Sequence, residues 1–231
     1  INTVLGPISP EDLGATLTHE HLLTSLDCYY QTPEESSQRL LASEKLSFKN
    51  IGKMPGKWLH HPESMNLSDI SIAIEEVMDW KLEGGGAVVD ATSIGIGRDP
   101  IGLAKIARAT GLNIIMGCGY YLPSSYAVNM EFVTQKDIEI EIVNDLRAGV
   151  AGTGIKSGII GEIGCDFPLT KNIKKVLCAA VEAQKVTGAP ILIHPGHSPH
   201  APIQIVDILL KQGAESDNII IGHLDARIVD Y

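Results

Sequence analysis

Short, largely apolar segments alternate with segments of helical periodicity along the whole of this 231-residue chain. Apolar runs of a few residues are typical of buried strands, whereas longer segments with a 3.6-residue period indicate helices. The strand-like segments are 15–23, 87–91, 112–117, 157–165, 189–194 and 218–223. The helix-like segments between them include 67–81, 101–109, 137–146, 173–185 and 203–211.

This alternation predicts an α/β fold in which parallel strands are covered by helices, and it favours a (β/α) barrel over segregated α and β layers. A doubly wound open sheet is the alternative. Such a sheet often carries a glycine-rich phosphate loop between a strand and the following helix. Here the run Gly84-Gly85-Gly86 precedes its strand instead, so the barrel is the preferred interpretation.

Histidines mark three of the strand-like segments. His19 and His21 lie in the first, while His194 and His223 close the fifth and sixth. The carboxyl ends of parallel strands are where such barrels bind ligands. Residues two apart on a strand share a face, so His19 and His21 can reach one metal ion. Imidazole nitrogen suits zinc and its neighbours, although a pair of surface histidines is the alternative for His19 and His21.

Glu162 lies in a segment that is otherwise apolar or small and is therefore expected to be buried. A buried carboxylate is costly unless it is paired with a cation or bound to a metal. A salt bridge to a distant lysine or arginine is the structural alternative. A carboxylate has two oxygens, so Glu162 can bridge two metal ions held roughly 3.5–4 Å apart.

The segments around these residues resemble the phosphotriesterase-related proteins of the amidohydrolase superfamily. The resemblance rests on Thr3-Val4-Leu5-Gly6, Leu13-Gly14, Thr16-Leu17-Thr18-His19-Glu20-His21-Leu22, Gly84-Gly85-Gly86-Ala87, Gly158-Ile159-Ile160-Gly161-Glu162-Ile163-Gly164-Cys165, Ile193-His194-Pro195-Gly196 and Gly222-His223-Leu224-Asp225. It implies a (β/α)8 TIM barrel of the metal-dependent hydrolase type, and it runs the length of the chain.

The resemblance also implies a role for each ligand candidate. His19 and His21 would hold one divalent metal ion, His194 and His223 would hold the other, and Glu162 would bridge them in place of a carbamylated lysine. Zinc is the expected metal. The implied activity is hydrolysis by a metal-bridging hydroxide of a small-molecule amide or ester, such as N-acetyltaurine or another N-acyl amino acid.

Two departures from the family pattern bear on catalysis. Ala226 intervenes before Arg227, whereas the family usually has arginine directly after His-Leu-Asp. The resemblance predicts eight βα units with a general-base aspartate on the eighth strand, but only six strand-like segments are present. We therefore expect 1–231 to be one C-terminally incomplete domain, truncated after its sixth strand, with that aspartate beyond Tyr231.

Two alternatives stay open. One is a catalytically impaired, truncated relative that retains metal ligands for a binding or regulatory role. The other is deaminase-like chemistry with a single metal ion. Metal content and chain length would discriminate among the three.

Further residues are candidates for supporting roles. Asp90 and Asp225 lie at strand ends, where they could orient metal-bound histidines through hydrogen bonds. Tyr120 and Tyr121 follow the third strand and are candidates for contact with substrate. His60 and His61 lie in a long polar segment after the first strand, residues 28–62, which we call the excursion, and they are expected to be surface residues.

Composition limits the class of partner. The net charge of −10 disfavours nucleic acid and anionic membranes, because their phosphates would be repelled. The sequence contains no uninterrupted apolar run of about 18 residues, the length expected of a spanning helix. Four scattered cysteines suggest reduced thiols and a cytoplasmic location. A homodimer is considered as the assembly.

Overall fold

The computed structural model describes residues 1–53 and 61–226. Its centre is a parallel sheet of six strands in the order β10-β9-β8-β7-β6-β3. These strands are β3 (Ala15–Glu20), β6 (Gly85–Asp90), β7 (Asn113–Cys118), β8 (Ile159–Gly164), β9 (Ile191–His194) and β10 (Ile219–Ile221). Two small antiparallel pairs accompany it, β1 (Asn2–Thr3) with β2 (Gly6–Pro7) and β4 (Thr24–Ser25) with β5 (Asn66–Leu67). Each strand of the large sheet overlaps a strand-like segment of the sequence.

Five helices connect neighbouring strands of the sheet, and all five overlap the helix-like segments of the sequence. They are α2 (Ile70–Leu82), α3 (Pro100–Thr110), α4 (Gln135–Arg147), α5 (Lys171–Thr187) and α6 (Ala201–Lys211). The sequence analysis did not predict α1 (Ser36–Ser43), a short helix in the excursion after β3. Gly111 and Gly188 end α3 and α5 in the left-handed conformation that glycine adopts most easily.

The core lies on both faces of the large sheet. Ile138, Ile142 and Leu177 pack on its helical side, together with Ile160 from β8. A second cluster lies on the opposite side, formed by Ala87, Ala91, Ile115, Ile159 and Leu192. Strands that are covered on both faces have no polar face, which explains why they read as nearly unbroken apolar runs in the sequence.

The excursion after β3 contains a buried histidine. His61 is 1% exposed, so the expectation that it is a surface residue is wrong. Its Nδ1 accepts a hydrogen bond from the backbone N–H of Glu63, and its Nε2 lies 2.8 Å from the carbonyl oxygen of Glu44. Both ring nitrogens therefore satisfy backbone groups of this excursion. His60 lies outside the described residues.

None of the helices in residues 1–53 and 61–226 has the length and apolar character that a bilayer span requires.

Candidate metal centre

Glu162, near the carboxyl end of β8, is 1% exposed and is surrounded by four imidazoles. Its Oε2 lies 3.0 Å from His19 Nε2, 3.3 Å from His194 Nδ1 and 3.5 Å from His223 Nε2. Its Oε1 lies 3.1 Å from His21 Nε2. The structure thus brings together all five residues that the sequence analysis selected as metal ligands.

The two histidines of the first strand point toward the same carboxylate, as their spacing predicts. The pairing of β3 with β6 shifts register between Leu17 and Glu20, directly at this point. Glu20, between the two histidines, lines a groove with Ile72 and Trp80 of α2 instead. Glu20 is exposed, and His21 lines the same groove, so the charge of Glu20 contributes to raising the pKa of His21 although its carboxylate is not among those that contact the imidazoles.

The histidine after β10 adopts an unusual backbone conformation. His223 has a φ of +56°, in the left-handed region that costs a residue with a side chain about 1–3 kcal/mol. Its neighbour Gly222 leaves space for His19, since a Cβ at 222 would lie 3.2 Å from His19 Cε1. Backbone geometry around Gly222 thus allows the imidazoles from the first and last strands of the sheet to approach each other, with ring centroids 4.8 Å apart.

Backbone hydrogen bonds hold Glu162 from the neighbouring loop. Its N–H donates to the carbonyl oxygen of Ala91, and its carbonyl oxygen accepts from the hydroxyl of Ser93. Both partners lie directly after β6. The carboxylate is therefore fixed at its backbone while its two oxygens face the imidazoles.

Three buried atoms at the centre have no hydrogen-bond partner among residues 1–53 and 61–226, namely His19 Nε2, Glu162 Oε2 and His223 Nε2. The 3.0 Å contact between His19 and Glu162 is close, but its angles are not those of a hydrogen bond. Leaving a buried polar atom unpaired costs about 1–3 kcal/mol. Ligand atoms of these three residues lie within 4.8 Å of one another, so the arrangement fits a cation held between them. Imidazole-rich donor sets suit transition metals rather than calcium or magnesium.

The electrostatics of the cluster favour a bound positive charge. Burial raises the pKa of Glu162, but the four imidazoles that face its carboxylate outweigh burial, and the pKa lies well below its ordinary value. Burial lowers the pKa of His21, yet the hydrogen bond and the charge of Glu162 outweigh that effect and raise it. The ionised carboxylate therefore attracts either protons on the imidazoles or a metal cation.

The two tyrosines that follow β7 point in different directions. The hydroxyl of Tyr121 lies 3.5 Å from His194 Nδ1 and 3.0 Å from the hydroxyl of Tyr29. Burial raises the pKa of Tyr29 to about 12 and also raises that of Tyr121, so both are protonated near neutral pH. The hydroxyl of Tyr120 donates to Glu141 of α4, on the outer side of the sheet. The structure therefore brings Tyr121 to the cluster of histidines and places Tyr120 away from it.

The carboxylate of Asp90 accepts hydrogen bonds from the backbone N–H groups of Leu22 and Thr92, and not from a histidine of the cluster. Burial raises the pKa of Asp90, and these hydrogen bonds oppose that rise. The group that reaches His21 is the hydroxyl of Thr92, at 2.9 Å from Nδ1. Asp225 is exposed and forms no hydrogen bond with the described residues.

Sequence reasoning missed Thr92 and Tyr29. Thr92 lies two residues after Asp90 in a loop that begins at a strand end, and this position was the available signal. Tyr29 lies in the excursion after β3 and meets Tyr121 only through tertiary packing. Arg227 lies outside the described residues.

Comparisons with known proteins agree with this geometry. A model of the Phosphotriesterase family matches residues 1–231. N-acetyltaurine hydrolase from Xenopus tropicalis is 42% identical over the whole chain, and the Homo sapiens protein of the same name is 40% identical. The chain spans 66% of the length of each of these relatives.

A solved structure extends the agreement to three dimensions. The crystal structure of a resiniferatoxin-binding protein from Rhodobacter sphaeroides superposes with a TM-score of 0.93 at 34% identity, covering 98% of this chain and 63% of that one. This match confirms the predicted TIM-barrel fold class for the part of the chain that the structure describes. By its sequence and by its fold, the chain belongs to the phosphotriesterase family.

Proposed function

We propose that this chain carries the metal site of a hydrolase that cleaves an amide or ester bond, with N-acetyltaurine or another N-acyl amino acid as substrate. The observation that carries the proposal is the convergence of four imidazoles on one buried carboxylate, with three ligand atoms unpaired. The names of the relatives from Xenopus tropicalis and Homo sapiens supply the substrate class. The cluster alone does not select that substrate, because one site can serve many.

In this proposal His19 and His21 would hold one divalent cation, His194 and His223 would hold a second, and Glu162 would be the ligand that the two cations share. Zinc suits this donor set. When bound, two such cations would lower the pKa of a water molecule and polarise the substrate carbonyl. The protonated hydroxyl of Tyr121, 3.5 Å from His194 Nδ1, would donate a hydrogen bond to a substrate oxygen in this proposal.

Hydrolysis consumes one water molecule: a carbon–oxygen bond forms at the acyl carbon, the carbon–nitrogen bond breaks, and the amine leaves with a proton. For N-acetyltaurine the products are acetate and taurine. The family resemblance implies that an aspartate takes the proton from water, and this assignment stays a prediction. The four cysteines carry free thiols, which supports the proposal of a cytoplasmic protein.

The proposal is tested by hydrolysis of N-acetyltaurine with the full-length protein, first freed of metal with a chelator and then reloaded with zinc or manganese. We expect activity that disappears with the metal and returns on reloading. N-acyl amino acids, a lactone and an aryl ester, assayed in parallel, define the substrate class. Metal binding at two ions per chain without hydrolysis of any substrate would favour the non-catalytic binding role instead, and one ion per chain would contradict the dinuclear site.

Replacing Tyr121 with phenylalanine is expected to lower kcat/KM roughly tenfold, the loss that corresponds to one hydrogen bond of about 1.4 kcal/mol. The phenol at this position is the donor beside His194. Tyr120→Phe is the matched control, because the Tyr120 hydroxyl binds Glu141 outside the centre. Steady-state kinetics of both variants check the prediction. Equal losses in the two variants would assign Tyr121 a structural role only.

A further inference from the structure

Thr92, in the loop after β6, contacts the cluster although it is not one of the candidate metal ligands. It is fully buried, and its Oγ1 lies 2.9 Å from Nδ1 of His21. Nε2 of the same imidazole lies 3.1 Å from Glu162 Oε1. The two nitrogens of His21 are therefore divided between two partners, a hydroxyl on one side and the carboxylate on the other.

A neutral imidazole carries its proton on one nitrogen only, and the other nitrogen has the free lone pair. A metal ion on the Glu162 side needs that lone pair on Nε2, so the proton must reside on Nδ1. A proton on Nδ1 needs an acceptor, and among the described residues the Thr92 hydroxyl oxygen is the hydrogen-bond partner of this nitrogen. A hydroxyl oxygen can accept such a bond while its own hydrogen turns elsewhere.

The carboxylate of Asp90 is the acceptor for the hydrogen of the Thr92 hydroxyl. Its carboxylate accepts the backbone N–H of Thr92, which holds the two residues together, and hydrogen bonding from the Thr92 side chain contributes to lowering the pKa of Asp90. The backbone N–H of Leu22, directly after His21, donates to the other carboxylate oxygen of Asp90. Asp90 thus connects the loop that carries Thr92 to the strand that carries His21.

We propose that Thr92 is a positioning residue for this centre, and that its hydroxyl accepts the Nδ1 proton of His21 and so keeps Nε2 free to face Glu162 and the metal. The proposal rests on the metal site proposed above. In many metal sites a carboxylate binds the metal-ligating histidine directly. Here Asp90 would act on His21 indirectly, through Thr92. Removal of such partners typically lowers metal affinity 10–100-fold.

The first test measures zinc affinity of the full-length protein by competition with a chromophoric chelator. Thr92→Val keeps the shape of the side chain and removes the hydroxyl, so we expect affinity to fall by about 10–100-fold. Thr92→Ser keeps the hydroxyl, and we expect affinity within about threefold of the natural protein, since the acceptor for Nδ1 remains. The spectrum of the cobalt-substituted protein should change for valine and not for serine.

Thr110→Val is the matched control. Thr110 is a buried threonine at the end of α3 whose hydroxyl donates to the carbonyl oxygen of Ile106, so the substitution also deletes a buried hydroxyl. We expect it to lower thermal stability without changing zinc affinity. Equal zinc affinity in Thr92→Val and the natural protein, or an equal loss in Thr92→Val and Thr92→Ser, would overturn the proposal.

A second readout follows the imidazole itself. In the zinc-loaded protein labelled with ¹⁵N-histidine, Nδ1 of His21 should carry a slowly exchanging proton; Thr92→Val should make its exchange fast, and Thr92→Ser should keep it slow. The signal is assigned by its absence in His21→Gln. An unprotonated Nδ1 in the natural protein would refute the role of Thr92 even if zinc binds tightly. Conversely, a natural protein that binds no zinc would refute the metal site itself, on which the role of Thr92 rests.

Discussion

Glu162→Gln is expected to lower both metal affinity and hydrolysis by at least about a hundredfold, because removal of groups that merely support a ligand already costs 10–100-fold. Glutamine preserves the size of the side chain but removes its negative charge. Four imidazoles face that charge, and the charge holds the cluster together. The amide nitrogen of glutamine presents hydrogens rather than a lone pair, so one of the two oxygens available to cations is lost.

The measurement is metal content after dialysis against a weak chelator, followed by hydrolysis of N-acetyltaurine in the full-length protein. Glu20→Gln is the matched control, since it also removes one carboxylate charge. Glu20 lies between His19 and His21 in sequence, but on the side facing α2. We expect the control to keep its metal and its activity within about twofold, as surface changes usually have small effects. Full metal content in Glu162→Gln would exclude Glu162 as a shared ligand.

The ligand candidates could be predicted from sequence because their positions follow from strand geometry. His194 and His223 end aliphatic runs, and parallel strands bring such ends to one edge of the sheet. The two-residue spacing of His19 and His21 sets their common direction, and a carboxylate in an apolar run has to find a positive partner. Each inference uses a rule that acts within one strand or between neighbouring strands.

The supporting residues could not be predicted in the same way, because their contacts depend on loops and on register. Tyr120 and Tyr121 are adjacent, and nothing local determines which one faces the centre. Gly119, just before them, has a φ of +95°, so strand alternation no longer applies at that point. His61 was expected on the surface because its segment is polar, yet it satisfies backbone groups of Glu44 and Glu63 inside that segment. A polar segment can therefore contain a buried side chain when backbone groups of that segment satisfy the polar atoms of the side chain.

Asp90 illustrates an intermediate case. Its location at a strand end suggested that it orients metal-bound histidines through hydrogen bonds, but its carboxylate binds backbone N–H groups of Leu22 and Thr92. The group that contacts His21 is the hydroxyl of Thr92, two residues later. A sequence rule can place a carboxylate at the correct edge of a sheet, whereas the choice between a direct and an indirect contact depends on the loop conformation.

Gly161→Ala is expected to destabilise the protein by about 3 kcal/mol or more, from overpacking of about 1–3 kcal/mol and backbone strain of similar size. A Cβ at 161 would lie 2.2 Å from the carbonyl oxygen of Leu192 in β9. Gly161 also has a φ of +131°, which residues with side chains rarely adopt. On the other side, β8 is already in close contact with β7, because a Cβ added at Gly117 would lie 2.0 Å from the carbonyl oxygen of Gly161. The strand β8 therefore cannot move toward β7 to relieve the clash.

Chemical denaturation of the full-length protein measures this loss, and zinc affinity measures its effect on the site. Glu162 follows Gly161 directly, so a displaced strand would move the carboxylate away from the imidazoles, and we expect weaker zinc binding along with lower stability. Gly84→Ala separates the two causes, because Gly84 has a φ of +94° but no atom within 4 Å of an added Cβ. Gly84→Ala should lower the free energy of unfolding by the cost of backbone strain alone, about 1–3 kcal/mol, and should leave zinc affinity unchanged. If Gly161→Ala cost no more than Gly84→Ala and left zinc affinity intact, close packing of the strands around Gly161 would not be what positions Glu162.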